Sequence, residues 1–99
     1  MRLFFEIFSK GGNGMEEKEV GRVTDYFSKI NVAALEITEG SLQVGDTIHI
    51  KGHTTDLQQT VDSMQIEKNS VSFAKKGDRV GIKVKNRVRP HDTVFKVIQ

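Results

Sequence analysis

Three histidines and four of the aspartates are the side chains of this 99-residue chain that could do acid–base chemistry or bind a metal ion. Imidazole and carboxylate groups move protons and coordinate metals, so their spacing decides what they can do. The histidines lack the short spacing of metal-ligand pairs, and we therefore predict no metal site, no cofactor and no catalytic activity. The residues are His49, His53, His91, Asp46, Asp56, Asp78 and Asp92.

Three of these aspartates fall in turns. Asp46 and Asp78 follow a glycine, Asp92 follows a histidine, and each precedes a run in which apolar and polar residues alternate. A carboxylate in such a position can accept hydrogen bonds from nearby backbone amides. We expect these aspartates to close turns rather than to contact a substrate.

A polar loop at residues 51–56 is longer than a hairpin requires. Loops on a rigid scaffold often carry binding residues. His53, Thr54, Thr55 and Asp56 are therefore candidate contacts of a small ligand. The alternative is that the loop only connects two strands.

A row of cations alternates with apolar residues towards the end of the chain. Val80, Ile82 and Val84 occupy even positions, so the odd positions point to the opposite face of a regular strand. Such a row attracts a phosphate backbone, and arginine can bind phosphate with two hydrogen bonds. The alternative is a solvated face that protects a sheet from aggregation. The candidate nucleic-acid-binding residues are Arg79, Lys83, Lys85, Arg87 and Arg89, with Lys75 and Lys76 in the preceding turn.

Charge is unevenly distributed between the two parts of the chain. Residues 1–67 carry 6 basic and 11 acidic side chains, whereas residues 68–99 carry 9 basic and 2 acidic ones. This asymmetry indicates a polyanionic partner for the basic part. Acidic and basic strands lying side by side would give the same pattern without any partner.

Several functional classes do not fit the sequence. The chain has no cysteine, which removes disulfides, thiolate metal sites and cysteine nucleophiles and favours the reducing cytoplasm. No apolar run approaches the ~18 residues that a membrane-spanning helix needs. The glycine-rich residues 11–14 lack the lysine and hydroxyl residue of a phosphate-binding loop, so we expect no GTP hydrolysis.

The elements that must position these side chains are short strands. Alternation and turn residues predict an all-β fold, a small closed antiparallel β-barrel of six or seven strands spanning residues 19–99. Ala33, Leu35 and Ile37 should face the core, Leu42 should plug one barrel end, and Phe73 should be buried. The predicted strands are residues 20–27, 32–38, 47–50, 57–67, 71–73, 79–85 and 93–98, with a bulge at residues 62–63.

Residues 1–18 are interpreted as a flexible N-terminal extension. An apolar segment at residues 1–8 is followed by the glycine-rich run, which is typical of a linker. The apolar segment is too short for a secretory signal. It either contributes little to the fold, or its side chains cap the barrel or contact a partner.

The order of motifs resembles a known family of domains. Residues 20–23 (VGRV), 39–52 (EGSLQVGDTIHIKG) and 73–85 (FAKKGDRVGIKVK) resemble domain 2 of translational GTPases such as elongation factor Tu. Residues 53–57 and 61–65 are similar to the stand-alone translation elongation factor-like proteins and to the C-terminal barrel of collagenase-like peptidases. The resemblance implies a barrel that holds tRNA or touches ribosomal RNA.

From these observations we predict a cytoplasmic, monomeric, non-enzymatic barrel that binds RNA or a ribonucleoprotein through the basic row. The alternative is a protein-interaction module that docks onto a separate catalytic protein, as the equivalent barrel does within collagenase-like peptidases. A small metal- or ligand-binding protein that uses the loop from His53 to Asp56 is a third possibility.

Overall fold

Ten β-strands make up the computed structural model, which describes residues 16–98. Glycine, aspartate and asparagine punctuate the alternating runs, and the chain reverses at these residues. The strands are β1 (Glu16–Phe27), β2 (Val32–Ile37), β3 (Ser41–Gln43), β4 (Thr47–Lys51), β5 (Asp56–Thr60), β6 (Met64–Ile66), β7 (Asn69–Val71), β8 (Phe73–Lys75), β9 (Arg79–Lys83) and β10 (Thr93–Ile98).

Eight of the strands form one antiparallel sheet in the order β5-β4-β10-β1-β2-β9-β6-β7, and β3 pairs with β8 separately. The all-β, antiparallel class is therefore confirmed. A closed barrel is not, because the backbone ladders between the described strands run in an open order that ends at β5 and β7. The predicted count of six or seven strands was wrong, since short pairs such as β3 with β8 give little alternation to detect.

The core is formed by the inward faces of the strands. Ala33, Leu35 and Ile37 of β2 are at most 1 % exposed, as their odd spacing predicted, and Leu42 of β3 is fully buried. Ile48 and Ile50 of β4 fill the same core. Burying each such aliphatic side chain stabilises the fold by roughly 1.5–3 kcal/mol.

The predicted fourth strand, residues 57–67, is two strands. β5 pairs with β4, whereas β6 pairs with β7 and β9, and residues 61–63 between them belong to neither. The slip in alternation near residue 62 is thus a change of pairing partner and not a bulge. The predicted burial of Phe73 was also wrong, because Phe73 lies on the outer side of β8 and is 52 % exposed.

Three turns have the same architecture, as their aspartates predicted. The carboxylates of Asp46, Asp78 and Asp92 each accept a hydrogen bond of 2.9 Å from the backbone amide three residues earlier. In each turn the aspartate amide donates back to the carbonyl of that same residue. Gly45 and Gly77 precede two of the aspartates with φ of 98° and 97°, and His91 occupies this position in the third turn with φ of 79°.

Gly21 marks a close approach between β1 and β2. A register shift lies between Glu19 and Gly21, and a Cβ atom at Gly21 would collide with the backbone carbonyl oxygen of Glu36. Only glycine leaves room for this approach. Gly21 therefore marks both the register shift and the close approach of the two strands.

The strand β1 begins earlier than predicted. It pairs from Glu16 with Ile98 of β10, so residues 16–18 belong to the sheet and not to the predicted extension. The rest of that extension, residues 1–15, lies outside the described residues, and its role stays a prediction. Among residues 16–98 no helix is long and apolar enough to cross a membrane.

Candidate interaction surface

The predicted row of cations is not one continuous stripe. Strand β9 ends at Lys83, and residues 84–92 continue without ladder pairing. The alternation persists in part because Val84 and Val88 stay buried, while Lys83, Lys85, Arg87 and Arg89 are exposed. The cations therefore divide into three groups with different neighbours.

The first group lies at the start of β9. Arg79 is opposite Glu36 of β2, whose carboxylate is 3.0 Å from the guanidinium of Arg22. Lys75 lies 4.0 Å from Asp78, and Lys76 is exposed in the turn between them. Acidic groups accompany this part of the row, which is the solvated, mixed-sign arrangement considered as the alternative to a binding site.

The third group is Arg89 alone. Its Nε donates a 3.0 Å hydrogen bond to the hydroxyl of Thr54, and its backbone amide is bound by the buried carboxylate of Asp92. Arg89 thus fixes the loop between β4 and β5 rather than extending a row along β9.

The middle group lies beside the tip of the β1–β2 hairpin. The backbone amide of Val84 donates to the carbonyl of Asn31 over 2.9 Å, which places the backbone of residues 83–85 beside the hairpin tip. The guanidinium carbon of Arg87 lies 5.8 Å from the centre of the Tyr26 ring, a distance at which cations and aromatic faces attract.

Two apolar side chains are exposed at the same tip. Phe27 is 49 % exposed and Ile30 is 57 % exposed, and the amide of Ile30 donates to the carbonyl of Phe27 within the turn. Together with the middle group of cations they form what we call the hairpin-tip surface: Phe27, Ile30, Lys83, Lys85 and Arg87. Alternation in the sequence indicated the cations but not Ile30, although an isoleucine in a polar turn is itself a signal of an exposed apolar contact.

A buried glutamine holds the chain at this surface. Gln59 of β5 is 7 % exposed; its amide nitrogen donates to the carbonyl of Lys83 and its amide oxygen accepts from the amide of Lys85, both over 2.9 Å. Strand β5 forms no backbone ladder with residues 83–85, and the Gln59 side chain connects the two instead. The alternation of Leu57, Gln59 and Val61 could have revealed this, because a polar residue at a core position needs partners.

Several residues of the candidate ligand loop form hydrogen bonds within the chain. His53 and Thr54 are exposed, Thr55 is 7 % exposed, and the carbonyl of Thr55 accepts the amide of Gly52. Asp56 starts β5 and binds His49. No observation tests the proposal that this loop contacts a ligand, which stays a prediction.

His49 lies between two carboxylates on the outer face of the sheet. Its Nδ1 is 2.7 Å from Glu17 of β1 and its Nε2 is 2.5 Å from Asp56 of β5. Burial lowers the pKa of His49, but the hydrogen bonds that the imidazole donates to Asp56 and Glu17 outweigh this effect and leave the pKa raised. The hydrogen bond from His49 in turn lowers the pKa of Asp56.

The carboxylates of this cluster lie at opposite ring nitrogens and so cannot share one metal ion with the imidazole. Across residues 16–98, no three histidine, aspartate or glutamate side chains converge as metal ligands would. The arrangement suits a charged histidine that joins three strands.

A shallow depression of about 670 Å³ lies on the outer face of β1, β2, β9 and β6. Its lining includes the small residues Ala34 and Gly81 and charged residues of both signs, among them Asp25 and Lys68. This mixture identifies no ligand class.

Comparisons with known proteins find that the chain is similar to segments of proteins named as a protease and a collagenase. No protein-family model matches it. It is 45 % identical over 78 residues to an uncharacterized protease of Methanocaldococcus jannaschii and 40 % identical over 86 residues to a collagenase of Porphyromonas gingivalis. These matches cover 78 % and 86 % of this chain but 19 % and 24 % of the relatives, so the chain spans a fifth to a quarter of their length.

Solved structures share the fold. The C-terminal domain of a putative U32 peptidase from Geobacillus thermoleovorans has a TM-score of 0.74 at 21 % identity, covering 80 % of this chain and 91 % of that domain. GDP-bound aIF5B from Aeropyrum pernix has a TM-score of 0.62 at 14 % identity, covering 85 % of this chain and 15 % of that protein. The resemblance to collagenase-like peptidases is thus confirmed, and the resemblance to a translation factor is confirmed for the fold alone. The predicted resemblance to stand-alone translation elongation factor-like proteins is not confirmed.

The prediction that the chain binds RNA or a ribonucleoprotein was wrong. Its sequence relatives are named as a protease and a collagenase, and the matched solved domain belongs to a putative peptidase. The continuous basic stripe that motivated RNA binding is also divided, because residues after Lys83 leave the strand. The comparisons favour the alternative, a domain associated with a peptidase.

Proposed function

We propose that this chain is a non-catalytic interaction module that docks onto a catalytic protein of the collagenase or U32 peptidase type. One observation carries the proposal: two proteins named as a protease and a collagenase contain a segment 40–45 % identical to most of this chain, and that segment is at most 24 % of their length. A segment that is joined to the rest of a peptidase in those relatives can make the same contacts when it is supplied by this chain.

The contacts of the titratable side chains support a non-catalytic role. Both ring nitrogens of His49 are bound by carboxylates, and the hydroxyl of Thr54 accepts Arg89. The turn aspartates bind backbone amides. These groups stabilise the fold, and none is left poised as a base beside a nucleophile.

We also propose that the sheet closes into a barrel. The hydrogen bonds of Gln59 to Lys83 and Lys85 join the edge strand β5 to the chain that leaves β9, and this contact supports a sheet rolled into the barrel expected from the sequence. We further propose a cytoplasmic monomer, as the absence of cysteine favours.

Binding to a peptidase of this type tests the function. The full chain is immobilised, and binding is measured for the Porphyromonas gingivalis collagenase and for the same protein lacking its matching 86-residue segment, with folding checked by circular dichroism. We expect the shortened collagenase to bind more tightly than the complete one, because in the latter the docking site is already filled. Failure of the shortened protein to bind at about 100 µM contradicts the proposal.

An activity assay tests the non-catalytic part. The chain alone, at high concentration, should leave gelatin and fluorogenic peptides intact. Hydrolysis that copurifies with the folded domain would contradict a purely binding role.

A further inference from the structure

The tip of the β1–β2 hairpin combines two features that protein interfaces use. Phe27 and Ile30 expose about half of their surface, whereas most large apolar side chains of residues 16–98 are buried. The chain that carries Lys83, Lys85 and Arg87 contacts the same hairpin, because the amide of Val84 binds the carbonyl of Asn31 and the guanidinium of Arg87 lies over the Tyr26 ring. Aromatic residues and arginine are enriched in the energetic centres of interfaces.

The surface is held in a fixed conformation. Val32 and Lys83 are paired in the ladder between β2 and β9, and Gln59 binds the backbone on both sides of buried Val84. Residues 83–87 therefore lie against the hairpin although they leave the strand. A preformed surface loses little conformational entropy on binding, which favours affinity.

Its cations are not neutralised within the described chain. The ion pairs formed by residues 16–98 involve Arg22, His49, Lys75 and Lys96, and none includes Lys83, Lys85 or Arg87. Positive charges left without carboxylate partners attract an acidic surface and steer its approach.

We propose that the hairpin-tip surface is the docking face of this domain, and that it receives an apolar depression bordered by carboxylates on the catalytic protein. Phe27 and Ile30 enter the depression, and Lys83, Lys85 and Arg87 pair with the acidic border. This inference rests on the proposed function and adds the surface and the chemistry of the partner.

The apolar side chains distinguish a protein partner from a polynucleotide. Lysine and arginine bind phosphates as readily as carboxylates, so the cations alone are ambiguous. Ile30 is the most exposed large apolar residue of the described chain and has no aromatic face on which a base could stack. An exposed aliphatic side chain among cations gains by burial in an apolar pocket, which a protein provides.

Matched variants test the surface in the collagenase binding assay described above. Lys83→Glu/Lys85→Glu reverses two charges at the hairpin tip, and Lys18→Glu/Lys76→Glu makes the same change in charge at two exposed positions elsewhere. Phe27→Ala/Ile30→Ala removes the apolar pair, and Val44→Ala/Phe73→Ala removes a second exposed apolar pair from another part of the surface. Each tip variant should weaken binding to the shortened collagenase at least about tenfold, and each control less than about threefold.

The possible outcomes separate the two proposals. If the wild-type chain binds and tip and control variants weaken binding equally, the docking face is wrong while the proposed function stands. If the wild-type chain does not bind the shortened collagenase, the proposed function fails first. If bulk tRNA binds more tightly than the collagenase and Lys83→Glu/Lys85→Glu abolishes that binding, the protein partner assigned to this surface is wrong.

Discussion

Replacement of Gln59 by leucine should destabilise the domain, because the Gln59 side chain joins β5 to residues 83–85. The substitution removes the partners of the Lys83 carbonyl and the Lys85 amide, each bound over 2.9 Å. A backbone group left without a partner costs about 1–3 kcal/mol, and the lower end applies here because Lys83 and Lys85 themselves are exposed. Additional burial of apolar surface by leucine offsets about 1 kcal/mol.

With two backbone groups at about 1 kcal/mol each and an offset of about 1 kcal/mol, the net loss expected for Gln59→Leu is about 1 kcal/mol in the free energy of unfolding. For a domain of this size, that loss lowers the Tm by about 4–8 °C. The neighbouring Gln58→Leu is the matched control, since it makes the same chemical change on the same strand at an exposed position. The control should stay within about 0.5 kcal/mol of the wild-type protein.

Chemical denaturation with hydrogen exchange measures both effects. The free energy comes from urea unfolding of the wild type, Gln59→Leu and Gln58→Leu. The amide of Lys85 should exchange faster in Gln59→Leu than in Gln58→Leu, because its acceptor is gone. Equal stability of the two variants, together with unchanged protection of the Lys85 amide, would refute the role of Gln59 as the connection between β5 and residues 83–85.

Three further predictions concern charge and backbone conformation. The pKa of His49 is raised above 6.5, so the stability that His49 adds relative to His49→Gln should be complete below about pH 6 and should decline as the pH rises through the folded pKa. Thermal unfolding of both proteins from pH 5 to 9 measures this difference in stability, and a difference that does not change with pH contradicts the prediction. Gly21→Ala should lower the free energy of unfolding by more than about 2 kcal/mol, because the added Cβ collides with the carbonyl of Glu36. Gly81→Ala, whose Cβ would make ordinary contacts, should lower it by less than about 1 kcal/mol. Urea denaturation compares the two variants, and similar losses would refute the close approach at Gly21. His91→Gly should stabilise the domain by about 0.5–1 kcal/mol, because φ is 79° there, and a lower Tm would show that the imidazole makes a contact worth more than the strain.

The division of the cation row illustrates how far alternation predicts a site. The even and odd positions correctly predicted that Val84 is buried and that the cations are exposed, namely Lys83, Lys85, Arg87 and Arg89. The parity could not show that the strand ends at Lys83. Exposed and buried residues can also alternate in a segment outside a strand, when side-chain hydrogen bonds hold that segment in place. The conclusion about RNA relied on a continuous row, and the row is divided.

Long-range pairing explains the other differences. Residues 57–67 alternate almost as one strand, yet β5 and β6 bind different partners because the chain crosses between two parts of the sheet. Phe73 carries no local sign of exposure, since its position depends on which face of β8 covers the core. The choice of neighbouring strand is set by contacts far apart in sequence, and local propensity does not encode it.

The sequence by itself determined the all-β class, the inward residues of β2 and β4, and the three aspartate turns. Strand periodicity and the preference of aspartate for backbone amides act over a few residues, so they can be read without knowing the fold. Only the tertiary structure decided that Ile30 lies beside Lys83 and Lys85, and that Gln59 holds them. Their proximity arises when β2 and β9 pair and β5 approaches from the far end of the sheet order, and that arrangement is a property of the packed chain as a whole.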